Sequence, residues 1–316
     1  HAGHMASAWS VAAREGVTLD LAEQTAEFGL AVIVDCIFGD DVDARAAAAP
    51  NSRFSFLRPD AARDLSMVQA ARELRSWIGE LIAKREQQYV QAEDFLGLYL
   101  QARDKAGQRF SDRELLDEMI TLIVAGFETT ANTLAWVWYE LAKHPDVAER
   151  VRAELIQSGA AADPSLETVA DLPVTLQVLQ ETLRLYPPVW LYTRRADSTI
   201  ELGEHVIEAG EQIYLSPYLT QRSERYWTEP EAFLPERFVD AGQRAQGVAF
   251  YPFSLGPRRC VGEHFSYLEM KLQLASVLPD LSPSLAQSAK TPELEYAINL
   301  RSLDPLPIEL TSRSAH

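Results

Sequence analysis

The segment from Ser111 to Pro145 constrains the fold more than any other part of the chain. Ser111-Asp112-Arg113-Glu114 forms a capping box: the Ser hydroxyl takes a free backbone N–H, and the Glu three residues on reaches back. Apolar residues then run to Lys143, and His144-Pro145 stops the helix. From Asp112 to Lys143 such a helix is about 48 Å long at 1.5 Å per residue. That is the full width of a sizeable domain. Its middle is apolar all round, so it belongs in a core.

Other segments carry the same period. Helices are expected to about Arg14, over Leu19 to Phe38, from about Asp64 to Tyr89, and over Asp94 to Leu100. More are expected from about Asp146 to Gln157, over Leu172 to Leu185, and from about Glu263 to Leu278. Short alternating pieces, Thr199 to Leu202 and Gln212 to Leu215, read as a small sheet, with further strands near Ile298 and Ile308. The 316 residues, 47% of them hydrophobic, supply a core. The expected fold class is mainly α with a small β portion, in one domain over residues 1–316.

Composition narrows the function. The 29 Lys and Arg against 46 Asp and Glu leave a net charge of −17, which argues against nucleic acid or an anionic membrane as partner. Two cysteines, Cys36 and Cys260, exclude a disulfide scaffold. Cys36 sits in an apolar stretch and reads as core. No apolar run approaches the roughly 18 residues that span a bilayer, and no secretory signal is visible.

Four segments carry chemistry. The first, Phe253-Ser254-Leu255-Gly256-Pro257-Arg258-Arg259-Cys260-Val261-Gly262, runs straight into a helix. A Cys there faces free N–H groups and the positive end of a helix dipole, which favour the thiolate. Gly256 and Gly262 let the backbone pass close to something flat. Arg258 and Arg259 offer charge-assisted partners for carboxylates. One Cys without a second Cys or His at zinc spacing fits a heme held by one thiolate better than zinc. The second segment is Ala125-Gly126-Phe127-Glu128-Thr129-Thr130, midway along the long helix. Gly and paired Thr are weak helix formers, so local loosening is expected there. Read alone, it is a packing notch. The third, Glu181-Thr182-Leu183-Arg184, is an i,i+3 ion pair that alone means a solvated surface. The fourth, Phe233-Leu234-Pro235-Glu236-Arg237-Phe238, alone is an aromatic-anchored loop.

Together and in this order, the four segments resemble the cytochrome P-450 family, over the chain from about Val17 to its C-terminus. The resemblance implies the fold of that family and heme b (iron protoporphyrin IX), with Cys260 as the proximal iron ligand. It implies Arg258 on a heme propionate and Phe253 beside the thiolate. Arg194 is the second propionate partner by its spacing to Gly210, with Arg195 as the alternative. Thr129 would hold dioxygen and Glu128 would belong to a proton relay, while Ala125 would touch heme or substrate. Glu181, Arg184 and Arg237 would close a buried structural network. Val124, Ala125, Val189 and Trp190, with Leu191 and Tyr192, would line a lipophilic pocket.

The activity implied is a monooxygenase inserting one oxygen atom from O2 into a lipophilic small molecule. The run from Tyr186 to Arg195 resembles bacterial members that oxidise terpenes. Electrons would come from a separate ferredoxin with its reductase, docked on a basic proximal patch that includes Arg258 and Arg259. A cytoplasmic protein of bacterial type is implied, any membrane anchor lying upstream of this chain. The family's N-terminal helices and first strands, with a basic propionate-binding residue, have no counterpart here, and neither does the loop over the pocket after the second helix. The fold expected is therefore N-terminally incomplete. Two other readings compete: a peroxide-using or isomerising heme-thiolate enzyme, and a non-catalytic helical remnant.

Overall fold

The computed structural model describes residues 1–57, 65–88, 93–239 and 249–313. The chain opens with α1 (Ala2–Glu15), a short strand β1 (Leu19–Asp20) and α2 (Leu21–Phe38). Then come α3 (Ala44–Ala48), α4 (Leu65–Gln88), α5 (Phe95–Gln101) and the long α6 (Asp112–Lys143). It continues through α7 (Pro145–Gln157), α8 (Leu166–Val169) and α9 (Pro173–Leu185) into β2 (Tyr192–Arg195), β3 (Ile200–Leu202), β4 (His205–Ile207) and β5 (Gln212–Leu215). After α10 (Pro217–Thr220) and α11 (Glu263–Val277) it closes with β6 (Leu281–Leu285), β7 (Leu294–Tyr296), β8 (Leu300–Ser302) and β9 (Pro307–Ser312).

The capping box on α6 forms as expected. Glu114 N–H donates to Ser111 Oγ at 3.3 Å, and Ser111 N–H donates to a Glu114 carboxylate oxygen at 2.8 Å. Residues 131–141 of α6 are buried without a break. Trp138 meets Trp9 edge-on at 5.0 Å, and its Nε1 donates to the buried Gln273 on α11 at 3.0 Å. Trp136 stacks flat on Tyr186 at 4.0 Å. By length and composition α6 is the one helix among the described residues apolar enough to cross a membrane, which the sequence reading missed. Over half of its most apolar stretch is packed against other elements.

α2 lies along α6 at very close range. A Cβ on Gly29 would stand 3.1 Å from Phe127 O, and one on Gly126 would stand 2.7 Å from Ile33 Cδ1. Two glycines therefore let these helices cross beside the Ala125–Thr130 segment, so the packing-notch reading of that segment holds for its Gly. The expected loosening does not occur: α6 is continuous through these residues. Thr129 Oγ1 does donate to Ala125 O, at 2.9 Å, but as an added bond rather than a replacement.

The helix expected from Leu19 begins at Leu21, because Leu19 and Asp20 pair with Ile308 and Pro307 of β9. Asp20 Oδ1 accepts from Ala22 N–H and from Leu306 N–H, both at 3.1 Å, so one carboxylate caps α2 and ties the two ends of the chain together. β6 completes this antiparallel sheet in the order β1-β9-β6. β2–β5, β3–β4 and β7–β8 form separate antiparallel pairs. The strand expected near Ile298 is present as the pair β7 and β8, which flank it; Ile298 itself lies in the bend between them and is 91% exposed. The expected start at Asp64 and end at Tyr89 of α4 lie outside the described residues.

α11 carries an unusual core residue. The Glu269 side chain is buried, and its Oε1 has no hydrogen-bond partner among the described residues. Burial pushes this carboxyl up to about 8. Cys36, read as core from the sequence, is only half-buried, and burial, then the nearby Glu269 and Asp35, push its thiol up to about 11. Between an unfolded value of about 4.3 and the raised folded value, the folded chain binds the extra proton. Glu269 therefore withdraws stability as pH rises through that window. Glu269→Gln is expected to raise Tm more at pH 8 than at pH 5 in thermal melts.

Candidate active site

The loop before α11 is built on backbone geometry. Ser254 adopts φ 64° and Gly256 φ 69°, so two left-handed residues fold the chain into a tight turn over Gly256–Arg258. Such a backbone costs about 1–3 kcal/mol at the non-glycine position, and it is held from both sides. Cys260 N–H donates to Phe253 O at 2.8 Å, and Ser254 N–H donates to Tyr251 O at 3.1 Å. This presents an exposed Cys260 thiol just ahead of the first turn of α11. A Cβ on Gly262 would lie 3.8 Å from Cys260 Sγ, so glycine leaves the space beside the sulfur free. Phe253 packs its ring edge-on against Tyr267 at 5.3 Å and contributes its carbonyl to the cysteine.

The two arginines of the loop separate. Arg259 makes a two-pronged ion pair with Glu263 in the first turn of α11, at 2.7 and 2.9 Å. Arg258 is exposed and has no ion pair among the described residues. In β2, side chains alternate between faces, so Tyr192 and Arg194 share one face and Arg195 takes the other. Arg195 runs toward the turn at Gly210, its guanidinium 3.9 Å from where a Cβ there would be. Arg194 is exposed, and among the described residues its guanidinium bonds only to the neighbouring Thr193 O, at 2.9 Å.

Tyr192 joins β2 to the cysteine loop. Its hydroxyl donates to Pro252 O at 3.0 Å. Burial pushes its phenol up to about 12, a hydrogen bond from the Ser254 backbone pulls it back, and the Cys260 thiol pushes further. The sequence placed Tyr192 with the pocket lining; the structure makes it an anchor of the loop. Val189 and Trp190 are half-buried, and Trp190 Nε1 donates to Ala297 O at 2.9 Å. On α6, Val124 and Ala125 are exposed, while Glu128 and Thr129 are half-buried. A cavity of about 430 Å³ elsewhere, lined by Glu140, His144, Tyr186 and Phe233, shares none of these residues.

The expected ion network forms on α9. Glu181 and Arg184 are fully buried on α9. Arg184 Nε and Nη2 donate to the two Glu181 oxygens at 2.7 and 2.9 Å, a two-pronged pair. The remaining Arg184 donors go to Gln221 O, Pro230 O and Ala232 O at 2.7–3.0 Å. Leu234 N–H and Arg237 Nε also reach Glu181 Oε1, at 2.8 and 3.3 Å. The isolated Glu-x-x-Arg pair looked like a surface feature; three loop carbonyls and Arg237 bring it inside.

Gln221 had no signal in the sequence. It is fully buried, donates to Leu183 O and Arg184 O, and accepts from Tyr251 N–H at 3.0 Å. Thr220 Oγ1 and Tyr251 OH are 2.9 Å apart. One chain of bonds thus runs from Arg184 through Gln221 to Tyr251 and the cysteine loop.

The structure thus offers one exposed thiol on a pinned turn, and two exposed arginines, Arg258 and Arg194, with no ion pair among the described residues. Among the described residues no three His, Cys, Asp or Glu gather as a metal cluster. Residues 40–310 match the family model for Cytochrome P450, and the chain belongs to that family. It is 35% identical over 213 residues to cyclooctat-9-en-7-ol 5-monooxygenase of Streptomyces melanosporofaciens, covering 66% of this chain and 46% of that protein. It is 32% identical over 208 residues to pentalenene oxygenase of Streptomyces avermitilis, covering 66% and 46%. Human cytochrome P450 3A7 is 34% identical over 227 residues, covering 70% and 45%. The chain thus spans about half the length of the curated relatives it matches. A crystal structure of the cytochrome P450DA heme domain shares the fold with a TM-score of 0.85 at 24% identity, covering 99% of this chain and 72% of that one.

Arg184→Leu would leave the Glu181 carboxylate buried and unmatched. The expected loss is about 3–5 kcal/mol. Arg237→Leu removes only the 3.3 Å contact and carbonyl bonds at the network's edge, so its loss should be well under half as large. Urea unfolding midpoints of the two variants check the order.

Proposed function

We propose that this chain is the catalytic part of a heme-thiolate monooxygenase acting on a lipophilic small molecule, with a terpenoid as the substrate class. The observation that carries the reading is an exposed Cys260 pinned by its backbone ahead of α11; on α6, Val124 and Ala125 are exposed and Glu128 and Thr129 half-buried, a face open to a ligand. Cys260 would hold the iron of heme b, and Arg258 and Arg194 would take its propionates. The alternating faces of β2 favour Arg194 over Arg195, because Arg194 shares the face of Tyr192, which touches the cysteine loop. Gly256 and Gly262 keep side chains off the proximal surface. When bound, heme would supply activation of O2 with two electrons and two protons, one oxygen atom going to the substrate and the other leaving as water.

The remaining work falls to this chain's residues. Val124, Ala125, Val189 and Trp190 would hold an apolar substrate and keep water away. The Thr129 hydroxyl donates to Ala125 O, which fixes its oxygen as an acceptor; a proton arriving from Glu128 would pass across it. A separate ferredoxin and its reductase would supply electrons, docking near Arg258. Cyclooctat-9-en-7-ol 5-monooxygenase and pentalenene oxygenase among the relatives support a terpenoid substrate.

The test is coupling. Thr129→Ala, assayed with NAD(P)H and redox partners, should cut product formed per NAD(P)H by about tenfold or more, while peroxide-driven turnover changes far less. Unchanged coupling would remove the relay, and turnover with peroxide alone in the parent chain would favour the peroxide-using class.

A further inference from the structure

Thr121, Ala125, Glu128 and Asn132 follow one another at i+4, i+3 and i+4 down a single stripe of α6. Thr121 and Ala125 are exposed and Glu128 is half-buried, but Asn132 is only 7% exposed. It is where the open stripe meets the core. Its side-chain Nδ2 is buried and has no hydrogen-bond partner among the described residues. A buried donor left unmade costs stability, so it needs a reason. The Glu128 carboxylate, one turn earlier, is likewise held by no hydrogen bond or ion pair among the described residues. Two neighbouring hydroxyls are committed: Thr129 donates to Ala125 O and Thr133 to Thr129 O, both at 2.9 Å.

We propose that Asn132 is a positioning residue for Glu128: its side-chain amide donates to the Glu128 carboxylate and sets where that carboxylate stands beside Thr129. Residues four apart on a helix have Cβ atoms about 5–6 Å apart, and acid–amide pairs at this spacing bond across the turn. A rotation of the Glu128 side chain therefore closes the bond with no movement of α6. The carboxylate then has two stations, one turned out along the exposed stripe and one on Asn132. The amide itself, being buried, does not reach a substrate. This inference rests on the proton-relay reading of Glu128 given above.

The test is a double-mutant cycle on the purified chain, read without turnover. Asn132→Leu should shift Tm differently in the parent and in Glu128→Ala, because in the second background the contact is already gone. Additive shifts would overturn the proposal and leave Asn132 as a packing residue. Should Asn132→Leu fail to fold, the near-isosteric Asn132→Asp serves: burial alone makes the new carboxyl cost more Tm at pH 8 than at pH 5, and with Glu128 present that difference should be larger than in Glu128→Ala, because a second carboxylate faces it. An equal difference in the two backgrounds would also overturn it. In the heme-loaded enzyme, Asn132→Leu should lower product per NAD(P)H several-fold. Substrate affinity by optical titration should stay within about twofold, and Glu128→Ala should abolish the effect. Affinity and coupling falling together would indicate a structural role. If Glu128→Ala and Thr129→Ala leave coupling unchanged while the thermal cycle is non-additive, the relay reading fails and the Asn132–Glu128 contact stands.

Discussion

The pair between Glu181 and Arg184 is the interaction on which the rest of the site depends. Two opposite charges lie fully buried, so neither is screened and neither tolerates losing the other. The Arg184 guanidinium spends its other donors on carbonyls of the loop from Gln221 to Ala232. That loop has little regular structure, and its shape is set by these bonds. Gln221 then passes the constraint to Tyr251, two residues before the cysteine loop. A charge pair on α9 therefore fixes the position of a sulfur on a distant turn.

The second constraint is the crossing of α2 and α6. Gly29 and Gly126 bring the two backbones within a distance that a methyl group would prevent. This holds the middle of α6 straight and buried on one side while its other side, with Val124, Ala125, Glu128 and Thr129, stays open. The packed core and the face proposed for chemistry thus lie on opposite sides of one helix. The same division explains Asn132, a polar residue where the two sides meet.

Most of the helical frame was legible because its signals are local. The Ser111–Glu114 box, the His144-Pro145 stop and the Pro187-Pro188 break each act within one or two turns, and α6 has the expected ends. The cysteine loop was legible because its residue types and spacing are rare together. What was missed depends on distant partners. Leu19 and Asp20 form a strand only because β9 lies beside them. The burial of Glu181 needs carbonyls some 40 to 50 residues away, and Gln221 and Tyr192 act through backbone atoms that no side-chain pattern announces. The loosening expected of α6 fails because Thr hydroxyls can add bonds to a helix already held by its neighbours.

The central claim is that the Cys260 sulfur holds a heme iron. The most direct measurement is the absorption spectrum of the heme-loaded, reduced chain under carbon monoxide, compared with Cys260→Ser. The account predicts the red-shifted Soret band of a thiolate ligand in the parent chain and its loss in the variant. A Soret band of the nitrogen-ligand type in the parent, or a thiolate band that survives in Cys260→Ser, would contradict it.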